Sequence, residues 1–288
     1  MPFPATAVGV ELETFERDLD VRSVLAYAAG VGASEPAFLD DARAGGLVAL
    51  PFLCVSLEWP VVLSLRRALA GLTPEEGRQG VHAAQDSIFH RPMRPGDTLA
   101  TRGKLVAVRR ARAGVLTVMR LDTICRRTGE PVVTSWSTSI YRDVSLDGED
   151  KSLAEPPADP VAAALPPDAE ACAIPIPREA PHVYSECAAI WNPIHTERAV
   201  ALAAGLPDII LHGTATWALA GLEVLRRYAG SHPARLKRIS GRFTGMVIPG
   251  ETITVRHAPA GEGVVRFEVV TSSGATAIRE GFAFLASQ

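Results

Sequence analysis

The chain repeats itself. Arg94-Pro95-Gly96-Asp97-Thr98-Leu99 is matched 154 positions later by Ile248-Pro249-Gly250-Glu251-Thr252-Ile253. Glu35-Pro36 is matched by Asn192-Pro193 at an offset of 157, and Leu50-Pro51-Phe52 by Leu211-His212-Gly213 at 161. Three matches in one order at nearly one spacing mark a tandem duplication, so a single folded unit must be built twice from this chain. With 288 residues there is room for two units of about 140, within the usual size of a domain.

Each unit shows the same order of elements. A short amphipathic helix (Val21 to Ala29; His182 to Ile190) leads through a turn to a longer apolar helix (about Leu50 to Leu69; about Gly213 to Ala229). Period-two alternation with glycine-centred turns then predicts strands. In the first half these are His82 to Arg91, Leu99 to Arg109, Val115 to Arg126 and Val132 to Tyr141. In the second they are Leu236 to Met246, Thr252 to Ala258, Val264 to Val270 and Thr276 to Leu285. One long helix against a mostly antiparallel sheet is an α+β architecture, and no strand-helix alternation suits a parallel nucleotide-binding sheet. Gly30-Val31-Gly32 lacks the third glycine and the preceding strand of a dinucleotide fingerprint. From Ser145 to Ala171 the sequence turns to Pro, Ala, Asp and Glu without an apolar period, which predicts a semi-extended linker. The units are therefore residues 1–144 and 172–288, joined by 145–171.

Composition excludes several classes of partner. A net charge of −3 with scattered arginines provides no basic footprint for nucleic acid. No apolar run reaches the roughly 18 residues that a membrane helix needs. Met1-Pro2-Phe3-Pro4 has neither the basic nor the apolar region of a signal peptide, so a soluble cytoplasmic protein is expected. Cys54, Cys125, Cys172 and Cys187 have no metal-ligand spacing, which predicts free thiols, a reducing compartment and no metal site.

The densest polar cluster is Tyr184-Ser185-Glu186-Cys187-Ala188-Ala189-Ile190-Trp191-Asn192-Pro193-Ile194-His195. Its Asn192-Pro193-Ile194-His195, followed by Ala199 and then Ile210-Leu211-His212-Gly213, resembles the MaoC-like, (R)-specific enoyl-CoA hydratase family (hydratase 2). There the segment reads Gly-Asp-x-Asn-Pro-Leu-His, and a His-Gly opens the central helix. Tyr27 to Pro36, Leu50-Pro51-Phe52, Arg91 to Asp97 and Gly241 to Gly250 resemble the corresponding parts of tandem members, so the likeness covers nearly everything except the linker. It implies a tandem (double) hotdog, each half a long helix wrapped by a mostly antiparallel sheet. It also implies reversible hydration of a trans-2-enoyl-CoA to a (3R)-hydroxyacyl-CoA. No cofactor is implied beyond the CoA or carrier-protein thioester of the substrate. A tandem chain already holds the two hotdog units that single-domain members assemble by dimerising, and a homodimer of tandem chains stays open.

Hydration needs a base for water, an acid for C2 and donors for the charge on the thioester oxygen. By resemblance His195 is the acid/base, Asn192 positions the water, and the Gly213 N–H at a helix N-terminus polarises the carbonyl. His212 is either a further contact of this site or a helix-start residue. Trp191 is either packing or a wall of the acyl pocket, and Arg242 either meets the CoA phosphates or is an ordinary exposed strand arginine. Cys187 reads as a small core residue. The family Asp, however, falls on Ile190, which moves no proton. If the helix runs on to Ile190, Glu186 lies one turn earlier on the same face and is a candidate relocated carboxylate. The first half has Ala33 and Phe38 at the positions of the Asp and His195. It is expected to have lost catalysis and to be either structural or a site that accommodates a long acyl chain. The alternatives are a hotdog thioesterase, a specialised dehydratase or isomerase, and a non-catalytic acyl-thioester binder or partner subunit, the last suggested by Ile190.

Overall fold

Both copies of the Pro-Gly repeat are turns. Gly96 and Gly250 have φ of +91° and +100°, a conformation that side chains with a Cβ rarely adopt, so the dipeptide survives in both copies for a backbone reason. The computed structural model describes residues 2–68, 80–160 and 164–286. In the first half these form β1 (Phe3–Pro4), β2 (Phe15–Asp18), α1 (Val21–Gly30), α2 (Pro36–Leu39), α3 (Cys54–Ala68), β3 (Gly80–Phe89), β4 (Thr98–Ala111), β5 (Gly114–Cys125) and β6 (Pro131–Arg142). There follow β7 (Leu146–Asp147), β8 (Lys151–Ser152), β9 (Glu170–Pro175), α4 (Ala180–Ala188), α5 (Arg198–Ala203) and α6 (Gly213–Ala229). The chain closes with β10 (Leu236–Phe243), β11 (Thr252–Pro259), β12 (Val264–Thr271) and β13 (Thr276–Leu285).

Alternation along the strands places one face of each against a long helix. In β12 the residues Val265, Phe267 and Val269 are buried and alternate with partly exposed neighbours. They pack with Trp217, Leu222 and Leu225 of α6 in one apolar core. Antiparallel pairing runs in the order β2-β4-β5-β6-β3-β10-β13-β12-β11-β9, with β8 on β4, so the two halves share one 11-stranded sheet. The α+β double hotdog expected from the sequence is the fold observed.

At the junction of the halves the pairing is self-complementary. Ser87 pairs with Ile239 and Gln85 with Gly241, while Asp86 pairs with Ser240. Asp86 and Ser240 are 154 residues apart, the spacing of the Pro-Gly repeat, so equivalent positions face one another and a pseudo-twofold axis passes through them. The helices obey the same axis. Tyr27 and Tyr184, 157 apart, bring their hydroxyls to 3.3 Å. A Cβ on Gly30 would lie 2.5 Å from the Cβ of Cys187, again 157 away. Cys187 is thus a half-buried contact in the α1–α4 crossing instead of a core residue.

On the outer face the seam is fastened by a buried ion pair. Arg238 donates from Nε and Nη2 to both oxygens of Asp86 at 2.9 and 2.7 Å, and its guanidinium also reaches the carbonyl of Pro157 at 2.7 Å. Asp159 accepts from Ser240 at 2.9 Å. The segment read as linker is accordingly partly structured: β7 pairs with β1, β8 with β4, residues 157–159 cross the seam, and β9 begins at Glu170.

Two element boundaries differ in ways that matter. The third helix begins at Cys54 after a short 3-10 turn, Pro51–Leu53, and Leu69 lies outside the described residues. Helix α4 stops at Ala188 because Ala189 turns left-handed (φ +54°), and the Ile190 N–H bonds back to the Ser185 carbonyl at 3.1 Å. That is the hydrogen-bond pattern of a helix C-terminal cap.

The close approach at Gly30 makes a stability prediction. Gly30→Ala should destabilise the fold by about 1–3 kcal/mol through overpacking. Adding Cys187→Gly should restore most of the loss, short of about 1 kcal/mol for a glycine within a helix. Denaturant unfolding of the two variants and the wild type checks it; losses that simply add would count against the crossing.

Candidate active site

The site is assembled where two turns meet the start of α6. Asn192 caps the 3-10 turn Pro193–His195, its Oδ1 accepting from the Ile194 N–H at 3.5 Å. With that oxygen engaged, the Asn192 amide NH2 is the group left to donate to a water. The turn presents His195, whose Nδ1 lies 2.8 Å from the Ile210 carbonyl. A carbonyl only accepts, so Nδ1 carries the proton, and Nε2 is left with a lone pair. Burial pulls His195 down to about 4, against which the Ile210 carbonyl acts weakly. At neutral pH His195 is therefore an uncharged base.

His212 lies directly behind it. The two imidazoles stack with centroids 3.7 Å apart at 24°. His212 is 2% exposed, and its Nε2 is 3.2 Å from the hydroxyl of buried Ser185. Burial first, then the neighbouring His195, lowers His212 to about 2, with the Ile190 carbonyl pulling the other way. A charge on either ring would repel one on the other, so the stack holds both neutral. His212 is thus a packed member of this site as well as the residue before α6.

The N–H groups of Ala215 and Thr216 bond to the His212 carbonyl. Those of Gly213 and Thr214 precede the first intrahelical bond and carry the positive end of the α6 dipole. Tyr184 steadies this end: its hydroxyl is 3.2 Å from Thr214 Oγ1, and its ring lies 4.9 Å from that of His212. A Cβ on Gly213 would lie 3.3 Å from the Phe243 ring, so any larger residue would press on that wall. The arrangement is a neutral base stacked beside a helix start with free N–H donors, a combination suited to a substrate that develops negative charge on oxygen.

The remaining sequence candidates fall elsewhere. Because α4 ends before Ile190, the helical-face argument for Glu186 fails; Glu186 is exposed, and the α4 side chains that meet His212 are Tyr184 and Ser185. Ile190 is 5% exposed and belongs to the apolar core. Trp191 is 51% exposed, so it is no packing residue. Arg242 is exposed and ion-paired with Glu280 of β13 at 3.1 Å. In the first half Ala33 and Phe38 are buried. Sequence reasoning missed Ser185, Tyr184 and Phe243 as site neighbours. The equal spacing of Tyr27 and Tyr184 was a usable signal for one of them.

Among the described residues, no group of three or more His, Cys, Asp or Glu could hold a metal ion, and no helix is long and apolar enough to cross a membrane. All four cysteines are free.

Comparison with known proteins gives two family matches in tandem. Residues 174–280 match a MaoC like domain, and residues 6–135 match a FAS1-like, dehydratase domain region. Peroxisomal multifunctional enzyme type 2 of Drosophila melanogaster is 26% identical over 94% of this chain and 46% of its own length. The 3-hydroxyacyl-thioester dehydratase Y of Mycobacterium tuberculosis is 38% identical over 30% of this chain and 31% of that protein. Enoyl-CoA hydratase 2, peroxisomal, of Arabidopsis thaliana is 40% identical over 22% of this chain and 20% of that protein. This chain thus spans less than half the length of these curated relatives. Among solved structures, a MaoC-like dehydratase from Phytophthora capsici superimposes with a TM-score of 0.86 at 24% identity, covering 97% of this chain and 96% of that one.

The depressed histidines predict an acid-sensitive fold. His82 and His195 sit at about 4 and His212 at about 2, all below the ordinary 6.5. Between 6.5 and about 4 the unfolded chain binds protons that the folded chain refuses. The histidines' share of the stability is complete above pH 6.5 and should fall as pH drops through that window, against a smaller opposite trend from Glu58, which burial raises to about 7. Unfolding free energies from about pH 7 to about pH 5 test the sign, and His212→Asn should flatten the slope. Nitrogen-resolved NMR of the imidazoles should show His195 neutral, with its proton on Nδ1, throughout that range.

Proposed function

Because the chain belongs to the MaoC-like dehydratase family, with a MaoC like domain in its second half and a FAS1-like dehydratase region in its first, we propose that it catalyses reversible hydration of a trans-2-enoyl thioester to a (3R)-hydroxyacyl thioester. The observation that carries this reading is the His195 tautomer: Nδ1 is committed to the Ile210 carbonyl and Nε2 is free, with the ring stacked on the residue that precedes the Gly213 helix start.

The steps balance with one base. His195 Nε2 takes a proton from water while the water oxygen bonds to C3, and the C2–C3 π electrons move toward the thioester carbonyl. The N–H of Gly213 stabilises the resulting enolate oxygen. The imidazolium then gives its proton to C2, so the elements of water are added and His195 returns to its neutral state. With one residue both taking and returning the proton, H and OH add to the same face. Asn192 positions the water through its free amide NH2. In the dehydration direction the same residues act in reverse. CoA and a carrier protein present the same acyl thioester, and a reducing compartment suits the four free thiols.

One observation favours a second reading. Ile190 is buried hydrocarbon where the family Asp is expected, which suits an acyl-thioester binder without turnover.

Crotonyl-CoA hydration, followed by loss of enoyl absorbance and chiral analysis of the product, separates the two readings. Wild type should yield (3R) product. His195→Ala should lower kcat by about 10²–10⁴-fold, whereas Glu186→Gln should leave the rate within about twofold. An inert wild type that still binds the thioester supports the binder.

A further inference from the structure

We propose that the acyl group accepted at this site is short, because Phe243 beside Gly213 and His82 of the first half form a floor next to a buried hydrogen-bonded cluster. The inference rests on the hydratase reading for where the thioester lies, and it names the substrate class within that reading.

With the carbonyl on the Gly213 N–H, the first side chain met on the inner side is Phe243, 3.3 Å from the Gly213 Cβ position. The Phe243 ring packs on His82 of β3 with centroids 4.8 Å apart. Both are half-buried and so form the accessible floor. The apolar packing of α3 on the sheet, through Val61, Leu65, Leu105, Met119 and Leu121, also encloses a buried hydrogen-bonded cluster. His82 Nε2 lies 3.3 Å from Ser137 Oγ. Gln85 donates to Glu58 and to Ser87, each at 3.0 Å, and Ser135 donates to the other oxygen of Glu58 at 2.5 Å. Ser87 and Ser135 are 2.8 Å apart. Glu58, Gln85, Ser87 and Ser135 are each no more than 3% exposed. The second half places Trp217, Ile239, Phe267 and Ile278, all apolar and buried, between its helix and sheet.

In an apolar tunnel each added methylene would strengthen binding about fourfold. Against this floor the gain disappears. A long tail would have to part Phe243 from His82 and then orphan hydrogen-bonding groups that are satisfied only by one another, which is costlier than leaving the tail in water. The first half therefore does not accommodate a long acyl chain, in contrast to the expectation drawn from other tandem members; the Glu58 network lies within the apolar packing of α3 on the sheet.

The test compares crotonyl-CoA, trans-2-octenoyl-CoA and trans-2-dodecenoyl-CoA on the full chain. For wild type kcat/KM should fall about tenfold or more from crotonyl to dodecenoyl thioester. Phe243→Ala, and separately Glu58→Leu with Gln85→Leu, should narrow that ratio by opening the floor. Circular dichroism and gel filtration establish that each variant folds, and Phe243→Ala stands as the test if the double variant does not. A wild-type preference for the dodecenoyl thioester overturns the proposal, as does a ratio that no folded variant moves. Should wild type turn over none of the three, the hydratase reading fails by itself. Calorimetric binding of butyryl-CoA and lauroyl-CoA then decides the length inference, with tighter lauroyl binding overturning it.

Discussion

Everything in this molecule hangs on the pairing of β3 with β10. Two open sheets would each leave an unpaired edge at the place where the halves meet, and an exposed edge strand invites pairing with other chains. Self-complementary register through Asp86 and Ser240 removes both edges at once and makes one sheet of two. It also fixes the helices on the inner face. Once Ser87 lies opposite Ile239, the α1–α4 crossing is brought to a distance where Gly30 must be glycine against Cys187, and Tyr27 meets Tyr184. The Arg238–Asp86 pair, with residues 157–159 laid over it, covers the outer face of the same joint. Buried ion pairs contribute more to specificity than to net stability, and here the contribution is to register.

Within that symmetric frame the two copies have diverged in chemistry. Where the second copy opens its helix with His212-Gly213, the first has Pro51-Phe52, and the Phe52 ring lies against Trp217 of the other half with centroids 5.2 Å apart. Phe52 thus packs against the helix whose start is the proposed oxyanion site. Tyr27 shows the same division of labour. Its hydroxyl donates to the Phe52 carbonyl at 2.7 Å, so the contact with Tyr184 must be supplied by the Tyr184 hydrogen or by none. The first half thus packs against the second, and its own interior holds a hydrogen-bonded Glu58 cluster. Burial raises Glu58 to about 7, which marks how far that carboxyl has been taken from water.

In the proposed reaction, an isoleucine at position 190, where the resemblance expects a carboxylate, changes how proton transfer works. A His-carboxylate pair can divide the roles of base and acid between two groups. Here the neighbour of His195 is another neutral imidazole, and the mutual repulsion of two charged rings opposes storing a proton on either. A base at about 4 is weak but always available, and its conjugate acid is strong. That balance suits prompt return of the proton to C2 more than removal of a proton from water.

The sequence by itself determined the duplication and the order of elements, because turns, alternation and short-range spacing are local properties of the chain, while the family resemblance singled out Asn192, His195 and Gly213. Pro95-Gly96 and Pro249-Gly250 were legible as turns since only glycine suits the positive φ there. The helix Gly213–Ala229 was legible from its apolar period and from Gly230 beyond it. Tertiary structure alone decided which residues act together. Glu186 looked adjacent to the site only while the helix was assumed to continue through Ile190, and one left-handed residue, Ala189, ended it. His212 read equally well as a site contact or a turn residue until its stack on His195, across 17 positions, came from the meeting of two loops. Trp191 is exposed although its composition suggested packing, and Phe243 and His82 meet only because β10 and β3 are neighbours across the seam. Contacts between segments distant in sequence depend on the register of the whole sheet, and no local pattern encodes that register.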